Sequence, residues 1–236
     1  MNAWQKYNLP VDDWDNLVAL KFKEYSHLGK VYCDVGACVG IYTNFFKGLA
    51  GDSGMVYSFE MNPNNYNNLT YLNSTNCIVE NLAVSDTVGE VDIFSDSNNP
   101  GDHVSNIIGY NTAFQKMSSI GKIKSINLDT YFGDKVVDFI KIDVEGAELQ
   151  VIQGGINTLK KCKMAIIECH FDEDWKQIVD LLNENGLNFK YIVNDEDIFC
   201  GQTTKIPGIS EIGRGYQIYL VNTVDAELPK VDSYIL

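Results

Sequence analysis

The apolar positions of this chain change period along its length. Over residues 11 to 28, Val11, Trp14, Val18, Phe22 and Tyr25 recur at three- and four-residue steps, predicting an amphipathic helix at about 11–28. From residue 31 onwards short β-rich runs take over: "VYCDV", "MVYSFE", "CIVEN", "DFIKID", "MAIIEC" and "FKYIV". The stretches between them, "GIYTNFFKGLA", "NPNNYNNLTYLNST", "AELQVIQGGINTLKK" and "DEDWKQIVDLLNENG", carry helical spacing. The runs near 31, 138 and 164 are almost continuously apolar, as strands covered on both faces are. Strands alternating with helices in this way specify an α/β fold, a parallel sheet with helices on both sides.

Two segments break the rhythm. "EVDIFSDSNNPGDHVSNIIGYN" begins as a strand and passes into a Gly/Asn/Asp/Ser stretch too long for a plain connection. Loops of that length inside a compact domain are usually functional or mobile. Near the end, "YQIYLVN" is a strand with no helix before it, which predicts an antiparallel return beside "FKYIV". The polar run "NDEDI" reads as a solvated turn. The sequence shows no repeat and no linker, so residues 1–236 are expected to form a single domain.

Composition narrows the class. A 45% hydrophobic content argues against disorder, and a net charge of −14 argues against a nucleic-acid partner held by a broad basic face. The six cysteines show neither CxxC pairs nor zinc-ligand spacing, so all are expected to be reduced and to pack as small hydrophobes. The N-terminal stretch has no apolar signal region and no run approaches the length of a membrane span. A cytoplasmic protein without a membrane partner is the expectation, and the sequons at Asn68 and Asn73 are read as accidental.

The candidate chemistry starts at "VYCDVGACVG". Gly36 and Gly40 bracket the first strand-to-helix turn, where backbone N–H groups can approach a ligand lying beyond the carboxyl ends of the strands. The second strand ends at Glu60, placed to accept both hydroxyls of a ribose. A dinucleotide fingerprint reads G-x-G-x-x-G; here the spacing is Asp34-x-Gly36-x-x-x-Gly40. A carboxylate inside the turn repels a pyrophosphate and suits a cationic amino-acid end, which favours S-adenosylmethionine (SAM) over NAD.

Five blocks in order resemble the FkbM-type family of class I SAM-dependent methyltransferases: "VYCDVGACVGIYTNFF", "VYSFEMNPNNYNNL", "NLAVSDTVGEVDIF", "LDTYFGDKVVDFIKIDVEGAELQVIQGG" and "AIIECH". They cover about residues 30 to 170, with Cys38 where the family usually has Asn and Met61 in place of a proline. The resemblance implies a Rossmann-like class I methyltransferase fold, with a mostly parallel seven-stranded sheet and a C-terminal antiparallel hairpin. It also implies methyl transfer from SAM, most often to oxygen of a small hydroxyl-bearing or glycosyl acceptor. Carried over by position, Asp34, Gly36, Ala37 and Gly40 would line the methionine end. Glu60 would take the ribose, Met61 would pack on the adenine, and Asn81 and Leu82 would lie at the adenine edge.

Alkyl transfer to an alcohol needs an aligned acceptor and a proton acceptor. Asp143, at the tip of the fourth strand, is expected where methyl group and acceptor meet, with capping of the following helix as its structural alternative. His170 ends the fifth strand beside the same crevice, and His103 sits in the long polar loop; both are base candidates. Glu145 and Glu148 read as helix-start acids that can orient substrate. No metal site is assigned, although Asp143, Glu168 and His170 could converge on an ion. A nicotinamide dehydrogenase and a non-catalytic nucleoside-binding module are the competing readings. The acceptor and the oligomeric state stay open.

Overall fold

Twelve strands and six helices are ordered along the chain in a computed structural model that describes residues 18–19, 22–95, 105–110, 116–187, 189–193, 197–200 and 216–221. The first six strands are β1 (Val31–Val35), β2 (Met55–Phe59), β3 (Cys77–Glu80), β4 (Ala83–Val84), β5 (Gly89–Ser95) and β6 (Ser105–Asn106). The others are β7 (Ser118–Ile126), β8 (Phe139–Ile142), β9 (Met164–Cys169), β10 (Phe189–Val193), β11 (Asp197–Cys200) and β12 (Tyr216–Val221). The helices are α1 (Ile41–Ala50), α2 (Pro63–Leu69), α3 (Leu128–Phe132), α4 (Glu148–Gln153), α5 (Ile156–Lys161) and α6 (Asp172–Glu184).

The main sheet runs β11-β10-β12-β9-β8-β1-β2-β3. Its centre is parallel, and β12 lies antiparallel between β9 and β10. The sheet has eight strands where seven were expected. The added edge is β11, which pairs antiparallel with β10 and begins inside the run read as a solvated turn. Apolar Ile198 and Phe199 follow the acids, and the pairing extends a hairpin that the charge pattern obscures.

Alternate residues of each central strand feed two separate cores. Cys33, Val35, Tyr57, Phe59, Ile140, Ile142, Ala165 and Ile167 pack on one face, against α4, α5 and α6. Tyr32, Val56, Phe139, Met164 and Ile166 pack on the other, against α1, α2 and the N-terminal helical residues. This two-sided burial explains why the strands read as unbroken apolar runs. The N-terminal stretch is helical at 18–19 and 22–25, and the Phe22 ring meets Phe46 edge-on at 4.8 Å. The part of the expected helix at 11–17 lies outside the described residues. Among the described residues no helix is long and apolar enough to cross a membrane. The five described thiols, Cys33, Cys38, Cys77, Cys162 and Cys169, are free.

The segment after β4 is not a plain loop. β5 and β7 pair antiparallel, β4 joins parallel and β6 antiparallel, giving a second sheet in the order β4-β7-β5-β6. The largely exposed β7 offers no apolar run for pattern reading to find.

The two glycines of the first turn have a reason inside the protein. A Cβ on Gly36, at φ +85°, would sit 1.8 Å from the carbonyl oxygen of Asp143. One on Gly40, at φ +84°, would sit 2.4 Å from Leu69 Cδ2 of α2. What comes close to this backbone is the tip of β8 and the α2 helix, not only a ligand. Gly36→Ala is therefore expected to destabilise the fold by roughly 3 kcal/mol or more, from left-handed strain plus a backbone clash. Urea unfolding measures it, and an unchanged midpoint would contradict the packing described.

Candidate functional site

Parallel register sets Val35, Phe59 and Ile142 at one level, so β1, β2 and β8 end together. Beyond them opens a cleft of about 680 Å³, counting its mouth. Gly36, Cys38, Phe59, Glu60, Met61 and Leu82 line it, together with Ile107, Asp143, Val144 and Glu145. Ser105 of β6 also lines it; Asn62 Nδ2 donates to its Oγ at 2.9 Å, and Asn106 Nδ2 donates to the Glu145 carbonyl at 3.0 Å. The β6 segment thus ties the turn after β2 to the loop after β8. His103 lies outside the described residues.

Glu60 is 5% exposed, and its carboxylate is fixed by the backbone: Cys38 N–H donates to Oε2 at 2.6 Å and Asn62 N–H to Oε1 at 2.7 Å. Cys38 can offer that N–H because its φ is +52°. Burial pushes the Glu60 carboxyl up to about 7, against the opposing pull of these two donors. Met61 and Leu82 line the cleft beside it. Asn81 does a different job: its Nδ2 donates to the carbonyls of Glu60 and Met61 at 2.8 and 3.1 Å, fixing the backbone that presents them.

Asp34 stands one layer below. It is fully buried, aligned in the sheet with Ser58 and Lys141, and Oδ2 accepts from Thr43 Oγ1 of α1 at 2.6 Å. Its side chain supports the floor of the turn and does not reach the cleft, nor do Ala37 and Gly40 line it. Burial raises the Asp34 carboxyl to about 6, with Lys141 as the chief opposing influence. Lys141 had no part in the sequence reading, although a lone charge inside "FIKI" marks it. Its buried ammonium lies 2.7 Å from Asp143 Oδ2 and 4.4 Å from the centre of the Tyr42 ring.

At the Asp143 wall, acids gather around one imidazole. Glu148 is fully buried, and its Oε1 accepts from Val144 N–H at 3.2 Å and Gly146 N–H at 3.0 Å, curling the loop after β8. The same oxygen lies 2.9 Å from His170 Nδ1. The α4 helix starts at Glu148 with Ala147 as its cap, so Asp143 does not cap it and stands free of the helix start. His170 Nε2 turns to Glu145 Oε2 at 3.5 Å and to Asp143 Oδ1 and Glu168 Oε1 at 3.8 Å each. Glu145 reaches this group from a left-handed backbone at φ +58°.

Burial alone would lower the His170 imidazole, but Glu148 and its neighbours hold it well above its ordinary range. Burial would likewise raise Asp143, but Lys141 and His170 keep it below its ordinary value. Burial pushes Glu145 up to about 7 against the pull of His170. Sequence reading brought Asp143 and His170 together and read Glu148 as a helix-start acid that could orient backbone, as it does; Glu145 lies before the helix, in the loop whose curl spacing alone does not show.

The methyltransferase FkbM domain model matches residues 34–191. The chain belongs to the FkbM methyltransferase family. The matched span runs from Asp34 within β1 into β10, so it contains every residue that lines the cleft. A hexuronic acid methyltransferase, AglP, from Haloferax volcanii is 28% identical over 186 residues, covering 73% of this chain and 70% of the relative. The crystal structure of methyltransferase FkbM from Methylobacillus flagellatus KT shares the fold at a TM-score of 0.50 with 15% identity. That match covers 89% of this chain and 55% of the other. The fold is of the Rossmann-like class I type, and the protein is a SAM-dependent methyltransferase domain; the dehydrogenase and pure binding-module readings fall away.

Proposed function

We propose that this FkbM methyltransferase binds SAM in the cleft between Glu60 and Asp143 and methylates a hydroxyl of a sugar-type small molecule, as a single domain spanning residues 1–236. One observation carries the cofactor's placement: Glu60 is a buried carboxylate at the cleft with one backbone donor on each oxygen, so that, even with the Asn65 side chain beside it, not all of its roughly four lone-pair positions are taken. The acceptor capacity left over suits the hydroxyls of a ribose. Met61, Leu82 and Val84 supply the apolar wall that a flat base needs, and Asp143 with Glu145 supplies negative charge where a cationic end would lie. SAM, when bound, supplies a methyl group on a sulfonium.

The chain's own residues do the rest. Gly36 sets the turn, Asn81 fixes the backbone of Glu60 and Met61, and Asp34 braces the floor through Thr43. Lys141 holds Asp143 ionised, which makes Asp143 a poor base by itself and a good partner for His170. An acceptor hydroxyl at this wall would lose its proton to His170 in its neutral form, which the surrounding acids make the minor form near neutral pH, as its oxygen takes the methyl group and the carbon–sulfur bond breaks. Glu148 fixes the ring by accepting from Nδ1, leaving Nε2 toward the acceptor. The sugar class rests on the hexuronic acid named for the Haloferax relative, and the carboxylates of the wall offer acceptors to the hydroxyls of a polyhydroxylated molecule.

Two outcomes test this reading. Glu60 must be ionised to accept a diol, so SAM affinity should fall as pH drops through about 7, the value to which burial lifts the carboxyl. Glu60→Gln should flatten that dependence and weaken binding at pH 8 by roughly 1.5–3 kcal/mol; calorimetry showing neither effect removes the ribose role. With an acceptor found by labelled-methyl transfer to a panel of uronic acids and neutral glycosides, Asp143→Asn and His170→Ala should each lower turnover by about 10²–10⁴-fold. SAM affinity should stay unchanged in His170→Ala and fall only modestly in Asp143→Asn, which loses one negative charge at the cationic end. Full turnover in both variants places proton removal elsewhere.

A further inference from the structure

We propose that Asp143, Glu145 and His170 form a binding site for one divalent transition-metal ion of the Mn²⁺ type in the wall of the cleft. One ligand atom from each residue lies within 4.8 Å of the other two. From His170 Nε2 the oxygens stand at 3.5 Å for Glu145 and 3.8 Å for Asp143. Two ligand atoms bonded to one ion at about 2.1 Å stand roughly 3.0–3.5 Å apart, so the two histidine–carboxylate pairs need to close by only a few tenths of an ångström.

The decisive feature is the histidine. Its side chain is 9% exposed, and among the described residues Nε2 makes no hydrogen bond and meets carboxylate oxygens at 3.5–3.8 Å. A nitrogen held that far from several anions is set for an ion between them. The other nitrogen is secured: Glu148 Oε1 already accepts from two backbone N–H groups, so it acts as an acceptor toward Nδ1 as well. A buried carboxylate on Nδ1 fixes the ring and increases the donor strength of Nε2, which is the usual support of a metal-bound histidine. The second Glu148 oxygen is buried without a partner, so the charge of this carboxylate is available to the imidazole.

Charge balance points the same way. Asp143, Glu145, Glu148 and Glu168 surround the ring, while Lys141 is the lysine in contact with the group. Mixed nitrogen and carboxylate ligands suit Mn²⁺ better than Mg²⁺, which prefers oxygen alone and keeps its waters. In the methyl-transfer reading, on which only this role rests, an ion here would replace His170 as the activating group, holding the acceptor hydroxyl and easing loss of its proton to solvent.

The test is binding, without SAM or acceptor, so that its failure leaves the methyl-transfer reading standing. Metal-stripped full-length protein is titrated with Mn²⁺, and free ion is followed by electron paramagnetic resonance. One saturable site per chain is expected, with ¹⁴N coupling from the imidazole in pulsed spectra. His170→Ala should weaken the site at least tenfold and abolish the coupling, and Glu148→Gln should weaken it by about 10–100-fold. An unchanged urea unfolding midpoint shows that each variant is folded. Absence of a saturable site, bound Mn²⁺ without ¹⁴N coupling, or unchanged affinity in folded His170→Ala would each overturn the proposal. Should His170→Ala fail to fold, the ¹⁴N coupling of the unaltered protein decides.

Discussion

The bond between the Cys38 N–H and the Glu60 carboxylate is the contact on which the cleft depends. It joins the turn after β1 to the tip of β2 at 2.6 Å, and the other carboxylate oxygen holds the start of the next turn through Asn62. Neither turn has its shape without the other. Cys38 must adopt a left-handed backbone to point its N–H at Glu60, and Gly36 must lack a side chain to let Asp143 pass. The cost of burying a carboxylate appears as a carboxyl lifted to about 7, which is also what leaves it receptive to a new donor. An acid held by backbone and short of donors is well suited to a diol.

Behind this contact stands a polar layer inside the sheet. Asp34, Ser58 and Lys141 occupy aligned positions on three neighbouring strands, facing Thr43 of α1. Buried polar groups are tolerated when they bond to one another. Here Thr43 bonds both Asp34 and Ser58, and Lys141, next to Asp34 in the sheet register, ends on Asp143 of the acid-rich wall.

Much of this architecture was legible in the sequence. The unbroken apolar runs gave the parallel strands because alternate residues feed two cores, and the acid ending "SFE" marked the second strand tip. The second sheet stayed hidden because β7 is mostly exposed and carries little apolar signal. The edge strand β11 was masked by the acids around its start. Asp34 looked like a ligand residue because sequence shows spacing but not depth, and only the fold reveals that it points under the turn at Thr43. The histidine cluster needed the loop after β8 to curl, and that curl comes from Glu148 bonding backward to backbone N–H groups, a contact with no sequence pattern of its own.

The most direct test of the account is a crystal structure with S-adenosylhomocysteine bound. The account predicts the ribose hydroxyls on the Glu60 carboxylate, the adenine against Met61 and Leu82, and the sulfur directed toward Asp143 and His170. A nucleoside bound with Glu60 touching only Cys38 and Asn62, or a sulfur directed away from His170, would contradict it.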